Sequence, residues 1–149
     1  MSKLCPSAQP GMERCMVLGV VGREGDTPIV QYLNEPLPAT PEVLAMAAPL
    51  NPTEVFRLSA TCEEHKCPHY DGKDCRLAGR IIQILPAVVD TLPPCTIRKE
   101  CRWFFQEGSE ACKRCPQVTT ISYNLSAQMQ EVSGLPVVQE TIRLAPTEL

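Results

Sequence analysis

Apolar and polar positions alternate with different periods along the chain, and the changes of period mark its elements. Residues 16–21 form a short, largely apolar run of strand type, and residues 29–33 form a second. Gly22-Arg23-Glu24-Gly25-Asp26 between them carries turn chemistry, so the two runs predict a β-hairpin. Pro36, Pro38 and Pro41 then hold the chain extended until Thr40-Pro41-Glu42. There a capping hydroxyl, a proline suited to the first helical position and an acid in the first turn predict a short helix ending near Ala48. Residues 54–60 alternate polar and apolar at period two, the pattern of a half-buried strand leading to Cys62.

Beyond Cys62 the period becomes helical. Leu77, Ile81, Ile84 and Val88 recur on one face behind a capping Asp74, with Arg76, Arg80 and Gln83 on another face and Pro86 bending or interrupting the helix. Residues 98–106 predict a second helix that stops at Gly108 and stacks Cys101 beside Phe104 and Phe105. Leu92-Pro93-Pro94-Cys95 is a stiff connector that fixes Cys95. A strand is expected over 118–125, and the thinly aromatic, weakly charged residues 126–149 read as a flexible tail or one held by partner contacts. The fold class expected is α+β: an N-terminal β-hairpin scaffold (1–61), a cysteine-rich, metal-organised helical region (62–116), one domain over 1–125, and the tail.

Length is compatible with this. A chain of 149 residues buries roughly 70% of its unfolded surface, so its core need not depend wholly on cross-links. Seventeen acidic against fourteen basic side chains, with seven aromatics, give no electrostatic reason to expect nucleic-acid binding. The apolar run around 81–89 is broken by Gln83 and Pro86 and falls far short of the ~20 residues a membrane span needs. The first residues, Met-Ser-Lys-Leu-Cys-Pro-Ser, lack an apolar signal core, which predicts a cytoplasmic protein.

Nine cysteines change the picture. Persistent disulfides are rare in the reducing cytosol, and an odd count does not close a disulfide framework, so metal ligation comes first. Seven of the thiols follow C-x4-C-x7-C, nineteen residues, then C-x5-C-x10-C-x2-C, too dense a group for ordinary core packing. Cys112 and Cys115 have the tight two-residue spacing of a zinc knuckle, and Cys62 with His65, Cys67 or His69 would complete a Cys3His site. The other spacings do not repeat that pairing. Four thiolates on the corners of a [4Fe–4S] cube tolerate irregular intervals better, and Cys5-Pro6, Cys67-Pro68 and Cys115-Pro116 echo the Cys-Pro end of ferredoxin ligand runs, although neither ferredoxin spacing is present.

The cluster ligands expected are Cys67, Cys75, Cys112 and Cys115, with Cys95 and Cys101 next. The full set of metal-ligand candidates adds Cys62, His65 and His69, the latter with Asp71 as a possible orienting carboxylate. Six thiols exceed one cluster's need. Either a second centre recruits Cys62 with Cys5 or Cys15, or the surplus thiols pack beside the metal. Residues 62–116 hold nine basic and eight acidic side chains, while each flank is net negative by two. Basic residues near clustered thiolates offset their charge, although a solvated helix face explains the same residues. Trp103, Phe104 and Phe105 offer a dry shell.

No catalytic constellation is present. Cys67 with His69 lacks a spatially assembled base and orienter, the glycines at 19, 22 and 25 lack nucleotide-binding spacing, and Cys112-x-x-Cys115 as a thiol–disulfide oxidoreductase lacks a thioredoxin-like βαβ context. The expectation is a small iron–sulfur protein in electron transfer or redox or iron sensing, accessory to a protein partner. The alternative is a zinc-stabilised interaction module without redox chemistry.

Overall fold

The computed structural model describes residues 3–24, 27–118 and 132. The two apolar runs of the N-terminal half become β2 (Met16–Glu24) and β3 (Thr27–Pro38), paired antiparallel as the hairpin the sequence predicts. On the other side of β2 lies β4 (Phe56–Thr61), and the two-residue β1 (Leu4–Cys5) pairs with β4 at the sheet edge. The sheet order is β1-β4-β2-β3, every neighbour antiparallel.

A register shift between Val17 and Gly19 bends β2 against both of its neighbours. Glycine is needed at the bend because a Cβ on Gly19 would lie 2.6 Å from the Gln31 carbonyl oxygen and 2.8 Å from the Val30 side chain.

Two helices join β3 to β4. The first, α1 (Pro41–Ala45), starts where Thr40 Oγ1 accepts a hydrogen bond from the Val43 amide at 3.2 Å, with Pro41 in the first turn. It is shorter than the sequence pattern suggests. The second, α2 (Pro52–Val55), is not among the predicted elements; in it Glu54 accepts a hydrogen bond from the Asn51 amide at 2.9 Å.

One face of the sheet packs Val17, Leu58 and Ala60 against Ala8, Met12, Val43 and Leu44. The opposite face carries Leu18, with Tyr32 packed against it, into a core with Ala78, Ile81, Trp103 and Ala111 from the cysteine-rich half. This second layer corrects the half-buried reading of residues 54–60. β4 is central and covered on both faces, and its polar residues Arg57 and Ser59 are as deeply buried as Leu58 and Ala60.

The second layer is built from short helices. α3 (Arg76–Ile84) begins after Cys75, one residue later than an Asp74 cap implies, and stops before Pro86 because the residue preceding a proline is driven out of the helical region. Pro86 therefore ends the helix instead of bending it. The expected helix over 98–106 is divided. A single 3-10 turn at Arg98–Glu100 gives way to extended backbone at Cys101, and α4 (Arg102–Glu107) follows. Gly108, at φ 73° and ψ −156°, reverses the chain into α5 (Ser109–Arg114) and a 3-10 turn at Cys115–Gln117. That backbone region is open essentially to glycine alone.

The architecture is α+β, a four-stranded antiparallel sheet with several short helices. The hairpin residues 25 and 26, the expected strand over 118–125 beyond Val118, and the expected tail, save Val132, lie outside the described residues. Among the described residues no helix is long and apolar enough to cross a membrane.

Candidate metal centre

The fold sorts the cysteines into two groups and one outlier. In the first group, Cys95, Cys101, Cys112 and Cys115 line a single cavity together with Tyr32 and Arg98, and Trp103 and Phe104 form its apolar wall. Three stretches of chain deliver these thiols. Cys95 leaves the Pro93-Pro94 connector. Cys101 caps α4 and is held to the sheet by a bridge to Leu4. Cys112 lies within α5, and Cys115 opens the closing 3-10 turn. The reversal at Gly108 returns α5 towards Cys101, so a ten-residue sequence interval becomes a spatial neighbour.

Burial dominates the acidity of this group. It raises Cys101 to about 12, with the Phe104 amide pulling the other way and Cys115 and Cys95 adding to the rise. Cys95 is raised by burial and by Cys115 and Cys112, against the Ile97 amide and Arg98. Cys112 is also raised by burial, with Arg98 as its chief opposing charge. The thiols thus feel one another, as groups around one cavity must.

Arg57 supplies the positive charge beneath this ring. Its guanidinium is 0% exposed. It donates from Nη2 to Cys115 Sγ at 3.0 Å, from Nη1 to the carbonyls of Cys115 (2.8 Å) and Val118 (2.9 Å), and from Nε to the Pro6 carbonyl. Its carbon centre lies 5.4 Å from the Trp103 ring centroid. Among the described residues none of the ion pairs involves Arg57. Burial disfavours its charge, but Cys115 and Tyr32 more than offset that effect and hold its pKa above the usual arginine value. The acceptors offered to this buried cation are three main-chain carbonyls and one cysteine sulfur. The buried Tyr32 hydroxyl and Arg98 Nε make no hydrogen bond among the described residues.

The second group comprises Cys5, Cys62, Cys67 and Cys75. Of the four expected first-choice ligands, Cys112 and Cys115 line the first cavity, and Cys67 and Cys75 do not. Burial raises Cys5 to about 12, partly relieved by the Ser7 amide, with Cys75 and Cys62 adding to the rise. Cys75 is raised by burial and by Cys67 and Cys62. Cys15 belongs to neither group: it packs in the α1-side core near Leu33 and Val43, its thiol 3.8 Å from the Gln9 carbonyl oxygen.

The histidines have other contacts. His65 is exposed and meets Tyr70 edge-on at 5.2 Å. His69 Nδ1 lies 3.0 Å from Arg80 Nη2, so it accepts from the guanidinium, and burial followed by Arg80 and Arg76 holds its pKa below the ordinary histidine value. Asp71 receives the amides of Lys73 and Asp74 at 2.9 and 2.8 Å and closes its own turn, where the sequence suggested an orienter for His69.

Among the described residues no three or more His, Cys, Asp or Glu side chains are placed to hold a single metal ion. Zinc needs four donors at about 2.3 Å from one point. A cubane places its iron corners, and hence its ligand sulfurs, farther apart, around a body instead of a point. The four thiols of this cavity are among the candidates named from the sequence, whereas Arg57 is not, because it presents only as a polar position in an alternating strand. Comparison with protein-family models, with curated proteins and with solved structures finds no match for this chain.

Proposed function

We propose that the chain is a small cytoplasmic iron–sulfur protein. Cys95, Cys101, Cys112 and Cys115 would ligate a [4Fe–4S] cluster that serves electron transfer or redox sensing for a protein partner. The observation that carries this reading is the four-thiol cavity with a fully buried, carboxylate-free arginine on one of its sulfurs. A cluster with four thiolates has net negative charge, and Arg57 together with Arg98 supplies a positive counterpart. Hydrogen bonds to ligand sulfur and exclusion of water are the levers by which a protein sets cluster potential. Arg57 on Cys115 provides the first, and the buried Trp103 beside the ring provides the second. Cys95 and Cys112 are half-buried, so the ring approaches the surface on their side, where an electron would be exchanged with a partner.

The test is the visible spectrum of the chain purified without oxygen. The reading predicts a broad charge-transfer absorption that bleaches on reduction and is diminished in Cys112→Ser. A colourless wild-type protein that binds stoichiometric zinc overturns it in favour of a zinc-stabilised interaction module.

A further inference from the structure

We propose that Cys5, Cys62, Cys67 and Cys75 hold a second, separate iron–sulfur cluster, so that one chain carries two. The inference rests on the reading of the first ring as a cluster site and extends it to the other thiol group.

Backbone geometry assembles this second group from two pairs. The β1–β4 ladder sets Leu4 opposite Thr61 and Cys5 opposite Ala60, and the Cys62 amide donates to the Lys3 carbonyl at 2.8 Å. Cys62 directly follows β4, so Cys5 and Cys62 stand on adjacent chain segments at one end of the sheet. The loop after Cys62 folds back on itself. The Tyr70 amide donates to the Cys67 carbonyl at 3.1 Å, Tyr70 bridges to Cys75, and the Arg76 amide donates to the His69 carbonyl at 2.7 Å. Cys67 and Cys75 are thus both tied to Tyr70 within one closed loop. Gln106 of α4 holds Cys75 in place at both backbone atoms, accepting from its amide at 2.7 Å and donating to its carbonyl at 2.8 Å. Leu4, next to Cys5, bridges to Cys101 at the start of α4, and Gln106 of the same helix holds Cys75, so α4 ties the two pairs together.

A buried arginine stands in this group too, here with a carboxylate partner. Arg102, 7% exposed, lies beside Cys62, pairs with Glu64 at 2.8 Å and stands 5.3 Å from the Tyr70 ring. Its buried Nε makes no hydrogen bond among the described residues. Arg57 lies between the groups: it bonds Cys115, it bonds the carbonyl of Pro6 next to Cys5, and it feels the Cys5 thiol. Two sets of four thiols account for eight of the nine cysteines, and Cys15, on the far side of the sheet, is the spare.

The experiment determines iron, acid-labile sulfide and zinc per chain after anaerobic purification, for the wild type and for Cys67→Ser, Cys112→Ser and Cys15→Ser, with circular dichroism confirming the fold of each. Two clusters predict about eight irons and equal sulfide in the wild type. Half of that remains in Cys67→Ser and half in Cys112→Ser, and Cys15→Ser is unchanged. About four irons in the wild type, kept in Cys67→Ser and lost in Cys112→Ser, overturns the second cluster while leaving the first. So does a wild type with one cluster and one zinc. Absence of iron and sulfide from the wild type overturns the first reading itself. If Cys67→Ser does not fold, the ratio of wild type to Cys112→Ser decides: twofold supports two clusters, and complete loss in Cys112→Ser overturns the second.

Discussion

Arg57 is the residue on which the two layers of the molecule depend. Its four hydrogen-bond acceptors come from two distant parts of the chain: Pro6 near the start, and Cys115 and Val118 at the end of the cysteine-rich half. Replacing it with alanine leaves those carbonyls and the Cys115 sulfur buried without donors, and the expected loss is about 3–5 kcal/mol, read as a lower urea midpoint. Arg57→Lys keeps the charge but loses the planar fork, so it should fall between the two. Nothing in its neighbourhood of sequence distinguishes Arg57 from a solvent-facing strand residue, because the layer that buries it is supplied by residues nearly sixty positions later. The thiols make a second residue-scale prediction for the metal-free chain. Burial raises Cys5 and Cys101 from 9.0 to about 12 in the folded state. Between those values the folded chain keeps protons that the unfolded chain releases, so stability falls as pH rises from 9 towards 12. Thermal unfolding of the metal-free chain across that interval checks the sign, and a rising midpoint would contradict it.

Local chemistry is enough to define an element when its partner is nearby in sequence. The β2–β3 hairpin and the start of α1 follow from alternation, turn residues and the Thr40-Pro41-Glu42 signature, and both are present. Elements that depend on distant partners were harder to read. β1 has two residues and no periodicity of its own; it exists because β4 and Cys101 pair with it. The helix expected over 98–106 breaks at Cys101, where extended backbone delivers the thiol into the ring, and a further helix follows Gly108. Gly108→Ala places a Cβ where φ is 73° and ψ −156°, and should cost about 1–3 kcal/mol together with partial loss of bound metal, since Cys112 and Cys115 lie beyond the turn. Gln106→Ala removes both bonds to the Cys75 backbone; a loss of about 1–3 kcal/mol in chemical unfolding is expected. Stability unchanged from wild type in either variant would contradict the role assigned to that element.

At the scale of the whole molecule, the sequence divides into a scaffold and a cysteine-rich segment, but the fold interleaves them. Cys5 of the N-terminal strand stands beside the chain at Cys62, while Arg57 of the scaffold reaches Cys115 of the cavity lined by Cys95, Cys101, Cys112 and Cys115. The number of thiols and their concentration in the middle of the chain were legible from spacing. Their partition was not, because it is set by strand pairing and by the reversal at Gly108. The most direct test of the central claim is the combined determination of iron, acid-labile sulfide and zinc in the wild-type chain prepared without oxygen. Iron and sulfide in equal amounts, in excess of one cluster's complement and with negligible zinc, is the predicted result. Zinc without sulfide, or a folded chain that takes up neither iron nor sulfide, contradicts it.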